Sequence, residues 1–179
     1  MTKIKNWYVV TGGPSSGKTT LVNEMAKLGY VTFPEAARTL IEHKLKEGRK
    51  LEEIQNTVEF QKEILEFQID AEKKAPKDKI VFFDGAIPDG VAYLECQGLD
   101  IKDYYKFCKK GVYKKIFFCQ PLPFEKDNVR IENAQAALTL ARMRREIYAN
   151  LGYKIINLAA TPNVSDRVKI VLAELKNTE

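Results

Sequence analysis

Apolar residues along this chain follow two rhythms, and the alternation between them predicts the fold. Runs at Trp7-Tyr-Val-Val10, Tyr30-Val-Thr-Phe33, Lys79-Ile-Val-Phe-Phe-Asp84, Lys115-Ile-Phe-Phe-Cys119 and Tyr153-Lys-Ile-Ile-Asn-Leu158 are rich in β-branched and aromatic residues and predict strands. Between them apolar positions recur at helical spacing. Leu21, Val22, Met25 and Leu28 form the first such set, stopped by Gly29, and a second helix begins at Glu35 and ends near Gly48. A longer one is expected from Leu51 to Ala75, with Ile54, Val58, Leu65 and Ile69 on one face, widened by Phe60, Ile64 and Phe67. Val91, Tyr93 and Leu94 mark a helix stopped by Gly98, and Asp100 to Lys110 predicts a short one with Tyr104, Tyr105 and Cys108 inward. Asn133 to Leu151 predicts the next, with Ala137, Ala141, Tyr148 and Leu151 toward the core. Val164, Val168, Val171, Leu172 and Leu175 make the closing helix amphipathic. Strands separated in each case by one or two helices predict an α/β fold, a five-stranded parallel sheet with helices on both faces, in one domain over residues 1–179.

The connection after the first strand carries the strongest chemical signal. Residues 12–19, Gly-Gly-Pro-Ser-Ser-Gly-Lys-Thr, fit the phosphate-loop pattern GxxxxGK[ST] between a strand and a helix, the context the motif requires. Gly12, Gly13 and Gly17 are free to take positive φ and carry no side chain, so successive backbone N–H groups can curl round an anion at a helix N-terminus. Lys18 is expected to reach the β- and γ-phosphates, and the Thr19 hydroxyl to ligate Mg²⁺. Pro14 completes the loop, and Ser15, Ser16 and Thr20 add hydrogen-bond donors. The fold is therefore expected to be that of a P-loop NTPase.

The third predicted strand ends in Asp84. An acid at the carboxyl end of a strand buried on both faces lies where open α/β sheets bind ligands, and can hold Mg²⁺. A strand-ending Asp-Gly turn is the plainer reading. Asp89 either caps the following helix or points into the cleft. Gln61 and Gln68 admit two readings, a base or sugar contact and, more simply, exposed polar residues. The proline-bounded stretch 120–132 is the natural place for a lid, ending near Arg130, which could bring charge to the γ-phosphate. Arg142 and Arg145 share a helix face; these and Arg144 read otherwise as surface residues.

Composition narrows the function classes. The 179 residues are 45% hydrophobic, with no apolar run of membrane-spanning length and a start that leads directly into a strand without a signal-peptide pattern, so a cytoplasmic protein is expected. The net charge of +5 is concentrated in lysine runs at 73–79 and 109–115 without interleaved arginine or aromatic platforms, which argues for a solvated surface and against a nucleic-acid partner. Three widely spaced cysteines, Cys96, Cys108 and Cys119, read as buried free thiols.

Thr-Gly-Gly-Pro-Ser-Ser-Gly-Lys-Thr-Thr-Leu at 11–21, Phe-Pro-Glu-Ala-Ala-Arg at 33–38 and Phe-Phe-Asp-Gly-Ala-Ile-Pro-Asp-Gly-Val-Ala-Tyr-Leu at 82–94 form an ordered set, continued at 127–140 and 148–158. In these segments the chain resembles the small kinase-like P-loop proteins grouped as an AAA-domain ATP-binding family, related to the ribosylnicotinamide kinase domain and to deoxynucleoside kinases. The resemblance implies that residues 12–20 bind ATP or GTP and that Asp84 positions Mg²⁺. It implies that Glu35 faces an acceptor hydroxyl as base or orienting group, while a plain helix N-terminal glutamate is the alternative. Arg38, one turn on, is expected to contact substrate or phosphate. Where the family pattern commonly has arginine after the third-strand acid, this chain has Gly85.

The expected function is transfer of the γ-phosphoryl group of Mg-ATP to a small hydroxyl-bearing substrate such as a nucleoside or ribosylated base. The alternatives are an ATPase or GTPase without a second substrate, and a nucleotide-dependent switch or binding module. No guanine-reading Asn/Thr-Lys-x-Asp signature is present, and oligomeric state has no signal in the sequence.

Overall fold

The computed structural model describes residues 5–54, 57–122, 134–161 and 163–177. Its strands are β1 (Trp7–Gly12), β2 (Val31–Phe33), β3 (Val81–Asp84), β4 (Lys115–Cys119) and β5 (Ile155–Leu158). Its helices are α1 (Lys18–Lys27), α2 (Ala36–Lys46), α3 (Leu51–Ile54), α4 (Val58–Lys74), α5 (Ile87–Cys96), α6 (Lys102–Tyr105), α7 (Ala134–Asn150) and α8 (Val164–Lys176). The strands form one sheet in the order β2-β3-β1-β4-β5, every neighbouring pair parallel. The predicted fold class holds.

The central strand shows why the sheet is covered on both faces. Trp7 and Val9 face one side, where Leu65, Val91, Ile147 and Tyr148 from α4, α5 and α7 pack against them. Tyr8 and Val10 face the other, against Leu21, Val22 and Met25 of α1 and Val171 of α8. A period-two strand with no polar face has no stable place except between two helical layers. The Trp7 indole also donates to the Pro76 carbonyl at 2.8 Å, tying the start of β1 to the segment after α4 at the end of the strand opposite the phosphate loop. A third cluster, Ala36, Ile41, Ile54, Phe60 and Ile64, joins α2, α3 and α4 outside the main layers. It builds the outer wall of a cleft above the sheet.

Several helix boundaries differ from expectation. The long helix expected from Leu51 is α3 and α4, and α4 starts afresh where the Thr57 hydroxyl accepts from the Phe60 amide at 3.1 Å. This cap sits inside a continuous apolar period, so periodicity alone passes over it. Val58, expected inward, is 42% exposed because it occupies the first turn of the restarted helix. Leu28 is the exposed C-cap of α1. The helix expected from Asp100 is the single turn α6; Asp100 accepts from the Lys102 amide at 3.0 Å, Cys108 is buried, and Tyr105 faces solvent. Cys96 is only partly buried, and no disulfide forms among the described residues. No helix among the described residues is long and apolar enough to cross a membrane.

Candidate active site

β1 delivers the phosphate loop to the middle of the sheet, flanked by the carboxyl ends of β3 and β4. Gly12 (φ +146°) and Gly17 (φ +78°) take the positive φ expected of them, Gly17 as the N-cap of α1. Gly13 does not. It is required for close packing instead, since a Cβ there would stand 2.9 Å from the Ala137 carbonyl and 3.0 Å from the Ala141 Cβ of α7. The remaining left-handed residue of the loop is Ser15 (φ 57°). Lys18 folds back to donate to the Gly13 carbonyl at 2.8 Å.

Thr19 and Asp84, placed 65 residues apart by the chain, meet: the Thr19 hydroxyl donates to Asp84 Oδ2 at 2.6 Å. Asp84 is 1% exposed, and its other oxygen, Oδ1, has no hydrogen-bond partner among the described residues. Burial, reinforced by the nearby Glu35 and Asp89 carboxylates, raises the Asp84 pKa to about 6, against the opposing pull of Lys18 and the Thr19 hydroxyl. Converging negative charge with one free buried carboxylate oxygen fits a divalent cation. No cluster of three or more acidic, His or Cys side chains able to hold a metal exists among the described residues. Mg²⁺ bound through one acid, one hydroxyl, water and phosphate oxygens needs no such cage.

From this point a cleft of about 940 Å³, including its open mouth, runs between α2, α4, α5 and α7. Glu35, the N-cap of α2, and Arg38, one turn later, line it together, with the Arg38 guanidinium 4.0 Å from the Glu35 carboxylate. Phe60, Ile64 and Ile41 supply an apolar wall, and Tyr93 and Leu140 face them. Gln61 and Gln68, whose plainer reading was an exposed surface, are both buried in this lining. Gln68 Nε2 donates to the Ala86 carbonyl at 2.9 Å, which fixes the amide orientation and leaves Oε1 buried without a partner among the described residues. Oε1 lies where a side chain on Gly90 would be, 2.8 Å from the position of a Cβ there.

Asp89 lines the cleft, but its oxygens are engaged by protein donors. The Ala86 amide donates to Oδ2 at 3.0 Å, the Tyr148 hydroxyl to Oδ2 at 2.5 Å, and the Thr11 hydroxyl to Oδ1. Arg144 Nε stands 3.5 Å from Oδ1, an ion pair in a nearly dry setting. The Arg144 guanidinium also donates to the Gly12 carbonyl at 2.8 Å and reaches the cleft beside Gly85 and Lys18.

Of the arginines on α7, sequence spacing drew attention to Arg142 and Arg145; Arg142 is a surface partner of Glu146, and Arg144 is the one turned inward. Its helix-mates Ala137, Ala141 and Tyr148, three to four residues away in each step, were the available signal. Arg130 and most of the 120–132 stretch lie outside the described residues. Arg167 of α8, which is buried, was not singled out from sequence at all; it donates to three backbone carbonyls, those of Ala159, Gln120 and Ser16.

Solved structures share this architecture. Deoxyadenosine kinase from M. mycoides, described with the products dCMP and dCDP, aligns with a TM-score of 0.66 at 15% identity, covering 97% of this chain and 100% of that one. The NadR protein, in complex with NAD and AMP-PNP, gives 0.70 at 18% identity; 98% of this chain matches 51% of that chain. Thymidylate kinase from Ehrlichia chaffeensis gives 0.66 at 16% identity, covering 95% and 97%. At such identities the likeness is one of fold. No curated protein matches the sequence. The family model described as an AAA domain matches residues 7–167, from the first residue of β1 to the buried arginine of α8, and the chain belongs to that family.

Proposed function

We propose that this protein is a phosphotransferase that moves the γ-phosphoryl group of Mg-ATP to the hydroxyl of a small nucleoside-like acceptor, working as one domain that includes the 120–132 segment. The observation that carries this reading is the cleft: one lining joins Lys18, Asp84 and Glu35 to a mixed apolar and amide wall of Ile41, Phe60, Ile64, Gln61 and Gln68. A hydrolase needs room for water only, and a switch needs an exposed reporting surface. A two-substrate enzyme needs this second compartment.

Residues 12–20 would wrap the triphosphate with backbone N–H groups, Lys18 would turn from the Gly13 carbonyl to the phosphate oxygens, and Thr19 and Asp84 would hold Mg²⁺. Bound there, Mg²⁺ supplies charge neutralisation between the phosphates. Glu35 would accept the proton of the acceptor hydroxyl as its oxygen bonds to the γ-phosphorus and the bond to the β,γ-bridging oxygen breaks, with Arg38 steadying the carboxylate. Arg144 would provide the cationic charge that Gly85 does not, and Asp89 would orient it. Gln61 and Gln68 would bond the polar edge of the acceptor.

The test is ADP release from Mg-ATP with and without a panel of nucleosides that includes nicotinamide riboside. Release that requires one nucleoside, with its monophosphate appearing and with at least ~100-fold loss in Glu35→Gln at unchanged ATP affinity, is the expected result. Release independent of any nucleoside would replace this reading with a hydrolase, and tight binding without release would replace it with a switch.

A further inference from the structure

Arg167 is 2% exposed in the first turn of α8, and its partners among the described residues are all backbone carbonyls. Nε donates to Ala159 at 2.9 Å, one terminal nitrogen to Gln120 at 3.1 Å, and the other to Ser16. One side chain thus joins the loop after β5, the end of β4 and the phosphate loop. Gly17 makes room for it, since a Cβ there would stand 3.0 Å from Nη1. A guanidinium buried among neutral dipoles lacks a full counter-charge, and an anion in the adjacent loop would supply one.

The planar trans peptide gives the contact a direction. In such a unit the carbonyl of one residue and the N–H of the next point opposite ways. Drawing the Ser16 carbonyl toward Arg167 therefore turns the Gly17 N–H the other way, as Arg144 does for Gly13 by holding the Gly12 carbonyl. The acceptor cleft lies on the α4, α5 and α7 side of the loop, while Arg167 and Ala159 lie on the α8 side. If the γ-phosphate faces Glu35, the side of the loop left for the base is that of α8 and β5, where residues 159–161 follow the edge strand.

We infer that Arg167 is a positioning residue that couples the base end of the nucleotide site, at 159–161, to the phosphate loop, so that occupancy of either end favours the geometry of the other. This rests on the nucleotide-binding reading above. It goes beyond that reading by making the two ends of one ligand energetically interdependent through a single side chain.

The experiment compares the affinities of Mg-ATP and Mg-tripolyphosphate for the intact protein, Arg167→Lys and Arg167→Met. Lysine keeps the charge and loses the three-way fork. Both variants are expected to lower the preference for ATP over tripolyphosphate by ~10-fold, within the usual range of coupling between sites. A preference within twofold of the unmodified protein, whether or not both affinities drop together, would overturn the inference, because a merely structural arginine lowers both alike. Hydrogen exchange on the unmodified protein covers the case in which neither variant folds. Tripolyphosphate, which carries no base, is expected to slow amide exchange at 159–161, and unchanged exchange there with the phosphate loop protected overturns the coupling. An unmodified protein that binds neither probe would overturn the nucleotide reading itself, and this inference with it.

Discussion

The two ends of the cleft are built in different ways. The end proposed to take the phosphates is almost entirely one contiguous segment, residues 12–20, completed by Asp84 at the end of the neighbouring strand. The end proposed to take the acceptor is drawn from four helices, with Glu35 and Arg38 from the start of α2, Gln61 and Gln68 from α4, Tyr93 from α5 and Arg144 from α7. A contiguous loop fixes its own geometry through backbone conformation, and its chemistry is general to triphosphates. A surface collected from several helices takes its shape from their packing, which lets specificity change while the phosphate end stays the same.

Substitutions can be chosen to strike one end and spare the other. The largest effect is expected at the phosphate end. Lys18→Ala should abolish nucleotide-dependent thermal stabilisation for every triphosphate tried, and unchanged ATP binding by calorimetry would remove the loop from the site.

Asp84→Asn comes next, with two opposed consequences. A carboxyl whose folded pKa is raised to about 6 adds most to stability below its unfolded value of 3.8, and that contribution is lost as pH rises through 6. At pH 7 the variant should therefore be more stable than the ligand-free parent by ~1–3 kcal/mol, and should lose ~100-fold or more in Mg-dependent turnover. The parent without nucleotide should gain stability from pH 7 down to about 4 on account of this group, while its Mg-dependent activity falls below about pH 6. A variant destabilised at pH 7 would show that the charge is not under strain.

The smallest effect belongs to the acceptor end. Gln68→Leu should raise the acceptor KM by ~10-fold through loss of a hydrogen-bonding edge, with ATP affinity unchanged. A change confined to ATP affinity would place Gln68 outside the acceptor site.

The same contrast explains what the sequence makes readable. The loop motif, the strand ending in Asp84 and the five-stranded parallel class depend on short-range pattern and were legible: one motif, one apolar run ending in an acid, one succession of strands and helices; the strand order β2-β3-β1-β4-β5, set by tertiary pairing, was not. Arg144 and Gln68 were not, because a polar residue on an amphipathic helix reads as exposed until a neighbouring helix covers its face. Asp89 was half legible. Its position as N3 of α5 marked it as a possible cap, but its contacts with Thr11 and Tyr148 cross from β1 to α7 over 78 and 59 residues. Gly13 was legible as glycine and misread in purpose, since the need it meets is the approach of α7, a tertiary event. Arg167 gave no signal because three backbone carbonyls leave no partner side chain in the sequence.

Trp7 is the sole tryptophan, fully buried at the start of the central strand β1 and bonded to Pro76 at the end of that strand remote from the phosphate loop. Its fluorescence should therefore lie to the blue in the native protein, move sharply to the red on unfolding, and stay nearly constant when a ligand enters the cleft. The molecule carries its own optical thermometer for stability, one blind to occupancy.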